Sequence, residues 1–97
     1  MPLDIARIAA QLAGTLAGSL RGDSSKVKAL AQAEAGKLAA ALAVIASLLA
    51  EGQIDRDEAA VLLRIQKDAS EAVLASLAEV SRVSAHRALS LGLREVA

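Results

Sequence analysis

The residues best equipped for chemistry are three carboxylates that follow a glycine in the middle of the chain. Asp55, Asp57 and Glu58 lie just beyond Gly52, and carboxylate oxygens are the ligands that hard cations such as calcium prefer. The same residue types also form ordinary helix boundaries, because glycine often ends a helix and aspartate often begins the next one. The neighbouring residues decide between a cation site and a structural turn.

The stretch GQIDRDE, residues 52–58, resembles the second half of an EF-hand calcium loop. With Gly52 at loop position 6, Glu58 falls at position 12, where the loop requires a bidentate glutamate. The first half departs from the pattern, because Leu49 would occupy the ligand position 3 and its side chain has no oxygen. The resemblance is therefore confined to these seven residues.

A structural turn accounts for every residue of this stretch. Gly52 can end a helix in the left-handed conformation, and Asp55 and Glu58 have the three-residue spacing of a capping box. Asp57 adds negative charge to the first turn, where the helix dipole favours it. We therefore predict a turn between two helices, with no cofactor and no metal site. A calcium-binding helix–loop–helix ranks behind this interpretation.

The composition predicts an all-α fold. The 97 residues include 24 alanines and 16 leucines, both strong helix formers, and the one proline is at position 2. Apolar residues at three- and four-residue spacing predict helices at about residues 3–20, 26–51 and 55–91. We expect a single helical domain over residues 1–97, folded as an antiparallel three-helix bundle (up-down-up) with a long third helix.

The connection LRGDSS, residues 20–25, also has two interpretations. Its RGDS tetrapeptide matches a cell-adhesion sequence, which would need a secreted protein. Gly22 as a helix stop, followed by Asp23, Ser24 or Ser25 as the next cap, explains every residue without that requirement. We predict the stop and cap.

Composition also excludes several classes of function. The chain has no aromatic residues, which removes base-stacking platforms, and a formal net charge of zero, so we expect no nucleic-acid partner. Without cysteine it can form neither disulfides nor thiol-based sites. Its first residues, MPLDIARIAAQ, lack the basic segment of a signal peptide. We expect a cytoplasmic, bacterial-type protein that is not secreted.

Two helices carry more apolar surface than a three-helix bundle can bury. The second predicted helix has a seam of small residues opposite its large apolar face, and the apolar arc of the third covers more than half its circumference. The interface residues predicted from these patterns are Ala33, Gly36, Ala40, Ala43, Leu62, Val73, Leu77 and Val80. They predict a homo-oligomer, most simply a dimer.

We therefore expect a structural or adaptor protein that acts through protein–protein interaction, with itself as partner and another protein as a further candidate. The alternative is a membrane-associated helical protein of the small pore-forming or lysis accessory type. Leu38 to Ala50 is the most apolar segment, but its 13 residues span about 20 Å, short of the roughly 20 residues needed to cross a bilayer. An enzyme ranks third, and no catalytic residue is predicted.

Two polar residues are of separate interest. Glu34 falls among large apolar residues of the second predicted helix. It can bend out to water beside Lys37, or it can make a buried polar contact that fixes helix register, level with Gln11 and Arg7 in an antiparallel pair. His86 is the one histidine, and we predict a solvated surface side chain.

The turn assignment predicts that the chain binds no calcium stoichiometrically, because leucine stands at an obligatory ligand position. Isothermal titration calorimetry with calcium should show no saturable site in the parent chain. A tight site that Glu58→Gln abolishes would contradict the assignment.

Overall fold

The structure is a computed structural model that describes residues 4–20, 24–78 and 80–96, and it is helical without strands in those ranges. Within the described residues four helices follow one another: α1 Ile5–Leu20, α2 Ser25–Ala50, α3 Arg56–Ala75 and α4 Arg82–Val96. The prediction of an all-helical chain is confirmed, whereas the prediction of three helices is wrong.

Side chains cap the first two helices close to the predicted boundaries. The backbone N–H of Arg7 donates to Asp4 Oδ1 at 3.1 Å, and that of Lys26 donates to Ser24 Oγ at 3.1 Å. These bonds satisfy amide groups that have no partner inside the helix. The predicted start at Leu3, the stop at Gly22 and the RGD part of the adhesion sequence lie outside the described residues.

The turn between α2 and α3 has the predicted stop and capping box. Gly52 has a φ of 72°, and the N–H groups of Gly52 and Gln53 donate to the carbonyls of Leu49 and Leu48. This is the Schellman arrangement, in which a left-handed residue turns the chain out of the helix. Asp55 Oδ1 accepts from the Glu58 N–H at 2.8 Å, and Glu58 Oε1 accepts from the Asp55 N–H at 3.1 Å.

The predicted third helix over residues 55–91 is in fact two helices. The Ser76 hydroxyl donates to the Val73 carbonyl at 2.6 Å as α3 ends. The Ser84 N–H then donates to Ser81 Oγ at 3.0 Å, so Ser81 caps α4. No glycine or proline marks the break, which is why helix periodicity alone runs straight through it. Residue 79, within the predicted third helix, lies outside the described residues.

The four helices form an up-down-up-down bundle in which each helix packs against two neighbours. The contacting pairs are α1–α2, α2–α3, α3–α4 and α4–α1, and the described residues of the two diagonal pairs make no close backbone approach. The core consists of alanine, leucine and valine side chains. Its buried members are Leu12, Leu16, Leu20, Val27, Ala31, Ala35, Leu38, Leu74, Val80, Ala85, Ala88, Leu89 and Leu93.

The core occupies one end of the molecule. The last buried residue of α2 is Ala39 and the first of α3 is Ser70, and no residue from 40 to 69 is buried. We refer to residues 40–69, the second half of α2 with the first half of α3, as the projecting hairpin. Leu42 and Leu63 pack against the edge of the core, but no residue of the projecting hairpin is buried, so this is the part of the fold with unused packing surface.

Candidate interaction surface

The projecting hairpin exposes large apolar side chains. Val44, Val61 and Ile65 are 59%, 57% and 55% exposed, although a side chain of this kind gains about 1.5–3 kcal/mol when fully buried. Leu49 and Leu62 are exposed as well. Single exposed apolar residues are ordinary, but a group of them on one projecting element indicates a binding surface.

Two shallow apolar grooves lie on this part of the molecule. One runs along α2 beside the start of α1, and the other lies at the turn where α3 begins. The α2 groove is lined by Ile5, Ala40, Ala43, Val44, Ser47 and Leu48. The turn groove is lined by Ile54, Asp57, Glu58, Val61 and Leu62. Both grooves have apolar walls that are not covered by any element among the described residues.

The predicted small-residue seam lies on the outward side of α2. Ala33 and Ala40 are exposed, and Gly36 and Ala43 are half-buried. A Cβ added to Gly36 would meet nothing within 4 Å, so no described helix approaches α2 closely at this residue. A contact between copies stays a prediction, and the α2 groove already contains two of the four seam residues.

The predicted interface residues beyond α2 divide between surface and core. Leu62 is exposed on the projecting hairpin, whereas Val73 and Leu77 are half-buried at the bundle end. Val80 is 4% exposed in the core of a single chain, so it offers no surface to a partner. Its apolar spacing reflects burial within the chain. The interface prediction assumed one straight helix over residues 55–91.

Sequence reasoning did not select Val44, Val61 or Ile65 for the interface. Valine and isoleucine at these spacings are as typical of buried core positions as of an interface. What distinguishes them is their exposure in the folded chain, in which the helix breaks after Ala75 and α4 follows as a separate helix. The capping signals at Ser76 and Ser81 were the sequence features that could have indicated this.

Glu34 makes a buried polar contact between α2 and α3. It is 2% exposed, its Oε1 accepts from the Ser70 hydroxyl at 3.0 Å, and its Oε2 accepts from Lys37 Nζ at 2.9 Å. The side chain is buried and also pairs with Lys37, and its partner across the helix interface is Ser70 of α3 rather than a residue of α1. Because both oxygens have partners, the carboxylate can stay buried at the base of the projecting hairpin.

A second polar cluster joins α3 to α4 at the surface. Glu71 Oε1 accepts from Arg82 Nε at 3.3 Å, and Glu71 Oε2 lies 3.1 Å from His86 Nδ1. Lys67 Nζ lies 3.5 Å from the same histidine nitrogen. The His86 side chain is 59% exposed, as predicted for a surface histidine, but it is paired with a glutamate rather than with water alone.

These partners change the pKa of the Glu71 carboxyl. Its hydrogen bond with His86 lowers the pKa below the ordinary value, and the bond and charge of Arg82 lower it further. Partial burial of the Glu71 side chain, which is 12% exposed, acts in the opposite direction and raises the pKa. The net shift is downward, so the cluster stabilises the ionised carboxylate.

Neither cluster supplies the ligand set of a metal site. No group of three or more His, Cys, Asp and Glu residues able to hold a metal ion occurs in the described part of the chain. The carboxylates of Asp55 and Glu58, the closest match to calcium ligands, already accept backbone N–H groups at the start of α3. The arrangement stabilises helix ends and helix pairs.

Comparison of the chain with protein-family models, curated proteins and solved structures found no match. The surface of the projecting hairpin and the contacts at its base are therefore the features that bear on function.

We expect Ser70→Ala to lower the free energy of unfolding by about 1–3 kcal/mol, because it leaves one oxygen of a buried carboxylate without a partner. Combining it with Glu34→Met should recover most of the loss, since an apolar pair of similar volume replaces both polar groups. Urea denaturation measures the difference, and Ser25→Ala on the exposed start of α2 is the control. Equal stability of Ser70→Ala and the parent would contradict a role for this bond.

The lowered pKa of Glu71 predicts a pH-dependent contribution to stability. The contribution is present well above the ordinary value of 4.5 and is lost as the pH falls through the lowered value. Glu71→Gln should reduce the free energy of unfolding by about 1 kcal/mol or less at about pH 6 and have no effect at about pH 3. Asp68→Asn, on the exposed side of α3, is the control. A Glu71→Gln effect that is the same at both pH values would refute this account.

Proposed function

We propose that this chain is a small homo-oligomeric helical protein that acts through protein–protein interaction, with the projecting hairpin joining the copies. The observation that supports this is the unburied stretch 40–69, in which Val44, Val61 and Ile65 are each more than half exposed. A chain of this length buries a limited share of its surface, so a second copy supplies packing that the single chain lacks. The proposal assigns no catalytic residue, cofactor or metal.

The charges of the hairpin support a second copy as the occupant. Acidic and basic residues alternate along α3, with Asp57 and Glu58 in its first turn and Arg64 and Lys67 farther on. Two α3 helices packed antiparallel about a two-fold axis near Val61 would bring the acidic first turn of each copy level with Arg64 of the other. Closed two-fold pairing of this kind is the commonest form of self-association.

The small-residue seam gives the same interface a second possible contact. Ala40 and Ala43 line the α2 groove together with exposed Val44, and small side chains let helix backbones approach closely. We propose that the seam lies at the contact between copies. In that case Ala40→Leu weakens association while leaving the fold of each chain intact, because Ala40 is exposed within the chain.

The proposal predicts that Val61→Lys combined with Ile65→Lys separates the copies without unfolding them, because both side chains are exposed and two charges would have to be desolvated on association. Multi-angle light scattering should give a multiple of the 9.9 kDa chain mass for the parent and a single chain for the variant. The charge-matched control, Gln66→Lys with Ala72→Lys, should associate like the parent. A parent that stays a folded 9.9 kDa monomer at high concentration would refute the proposal.

The second candidate function is membrane association through α2. This helix is long and apolar enough to cross a membrane by length and composition, with a mean hydropathy of 1.6 over an 18-residue window of which 22% is buried. Core helices of ordinary bundles pass the same test, and the charged residues Glu34 and Lys37 interrupt this one. Flotation with lipid vesicles, and a requirement for detergent, would favour this candidate. Cytoplasmic location stays a prediction.

A further inference from the structure

The connection between α3 and α4 is a turn built from residues that favour helix. From Gln53 to Leu91 the sequence contains neither glycine nor proline, and Ala75, Leu77 and Ala78 at the break are among the strongest helix formers. The N–H groups of Ser76, Leu77 and Val80 donate to carbonyls three residues earlier, which is the weaker bonding of a tight turn. In a continuous helix each of them would instead bond four residues back.

The contacts that hold this turn closed are made by α4 and by Leu77 and Val80 of the turn, which pack in the core. Helix α4 packs on α1 and α3, and its described residues have no close approach to α2. Its inner face is buried there by the small and apolar side chains Ala85, Ala88, Leu89 and Leu93. Gly92 lies so near α1 that an added Cβ would stand 3.1 Å from Leu12 and 3.9 Å from Thr15 Cβ. The packing site of α4 on α1 and α3 is therefore specific. The segment that connects α3 to α4, however, is composed of residues that can form a continuous helix.

We propose that α4 exchanges between two copies of this chain. In the exchanged dimer α3 and α4 join into one helix from Arg56 to Val96, about 60 Å long. The α4 part of each copy packs on α1 and α3 of the other copy. Because α3 and α4 are antiparallel neighbours in the closed chain, two straightened chains lie antiparallel and reproduce the same contacts. Exchange of an identical element is a low-cost route to dimers.

The polar contacts around the turn are compatible with this exchange. Glu71 pairs with Arg82 and His86 across the α3–α4 interface, and the same pairs form between copies when α4 is exchanged. Only the turn itself differs between the two states: the Ser81 cap and the bond from Ser76 Oγ to the Val73 carbonyl belong to the closed chain. The balance is therefore set by residues 76–81. Apart from Lys67, which lies 3.5 Å from His86 of α4, the exchange uses no contact of the projecting hairpin, so it can be tested separately from the proposed function.

Disulfide trapping tests the exchange directly. The chain has no cysteine, and the 3.9 Å between the Cβ positions of residues 15 and 92 suits a disulfide. Thr15→Cys combined with Gly92→Cys should link α1 to α4 within a closed chain but between chains in the exchanged dimer. After equilibration at increasing protein concentration and then oxidation, a non-reducing denaturing gel should show a rising fraction of covalent dimer. Each single-cysteine variant alone should show none of this rise.

The same gel separates this inference from the proposed function. Association in light scattering with only internally linked chains on the gel would overturn the exchange and leave the hairpin interface standing. Covalent dimer that persists when Val61→Lys and Ile65→Lys are added would support exchange and count against the hairpin as the joining surface. Internally linked chains at every concentration, with no association, would overturn both.

Two variants of the turn test the same inference without cysteines. Ala78→Gly should disfavour the continuous helix about fivefold in each chain, and so weaken the dimer about 30-fold. Ser81→Ala removes a cap present only in the closed chain and should strengthen the dimer by a similar factor. The dissociation constant from sedimentation should move in opposite directions. Movement in the same direction, or none, would overturn the proposal even if the cysteine pair fails to fold.

Discussion

The return of α4 onto α1 is the constraint on which the rest of the structure depends. Leu12, Leu16 and Leu20 of α1 can be buried on both sides only if a second helix joins α2 in covering them. Breaking the long helix gives up a few backbone hydrogen bonds, each with a net contribution of about 0.5–1.5 kcal/mol. Burying Leu89 and Leu93 contributes about 1.5–3 kcal/mol each, and the serines at the break recover part of the lost bonding. Within one chain, burial of these side chains therefore stabilises the fold more than a continuous helix would, but the difference in free energy is small.

The two ends of α3 are held very differently. Ser70 bonds to Glu34 of α2, and Leu74 is fully buried. Glu71 pairs with Arg82 and His86 of α4. These neighbouring residues fix the end of α3 at the bundle. The other end follows the turn at Gly52, and no residue of α3 before Ser70 is buried. A fold built in this way has one rigid end and one element whose packing is incomplete, which is where association with another molecule gains most.

The core explains why the projecting hairpin is left uncovered. With no aromatic residue and many alanines, the buried side chains fill little volume, and the helices pack closely around them as at Gly92 and Leu12. Short helices α1 and α4 suffice to enclose such a core. The longer α2 and α3 then extend past it, and the apolar residues Val44, Val61 and Ile65 remain at the surface.

The sequence by itself determined that the chain is helical, where α1 and α2 lie, and how α2 ends and α3 begins. These are local matters, because propensity, the Gly52 conformation and the Asp55–Glu58 spacing act within a few residues. Only the tertiary structure decided that the predicted third helix is two, that Glu34 pairs with Ser70 rather than with α1, and that Val80 is core while Val61 is surface. The physical reason is that alanine and leucine suit a continuous helix and a broken one almost equally. The choice is made by burial against residues far away in the sequence, which periodicity along one segment does not record.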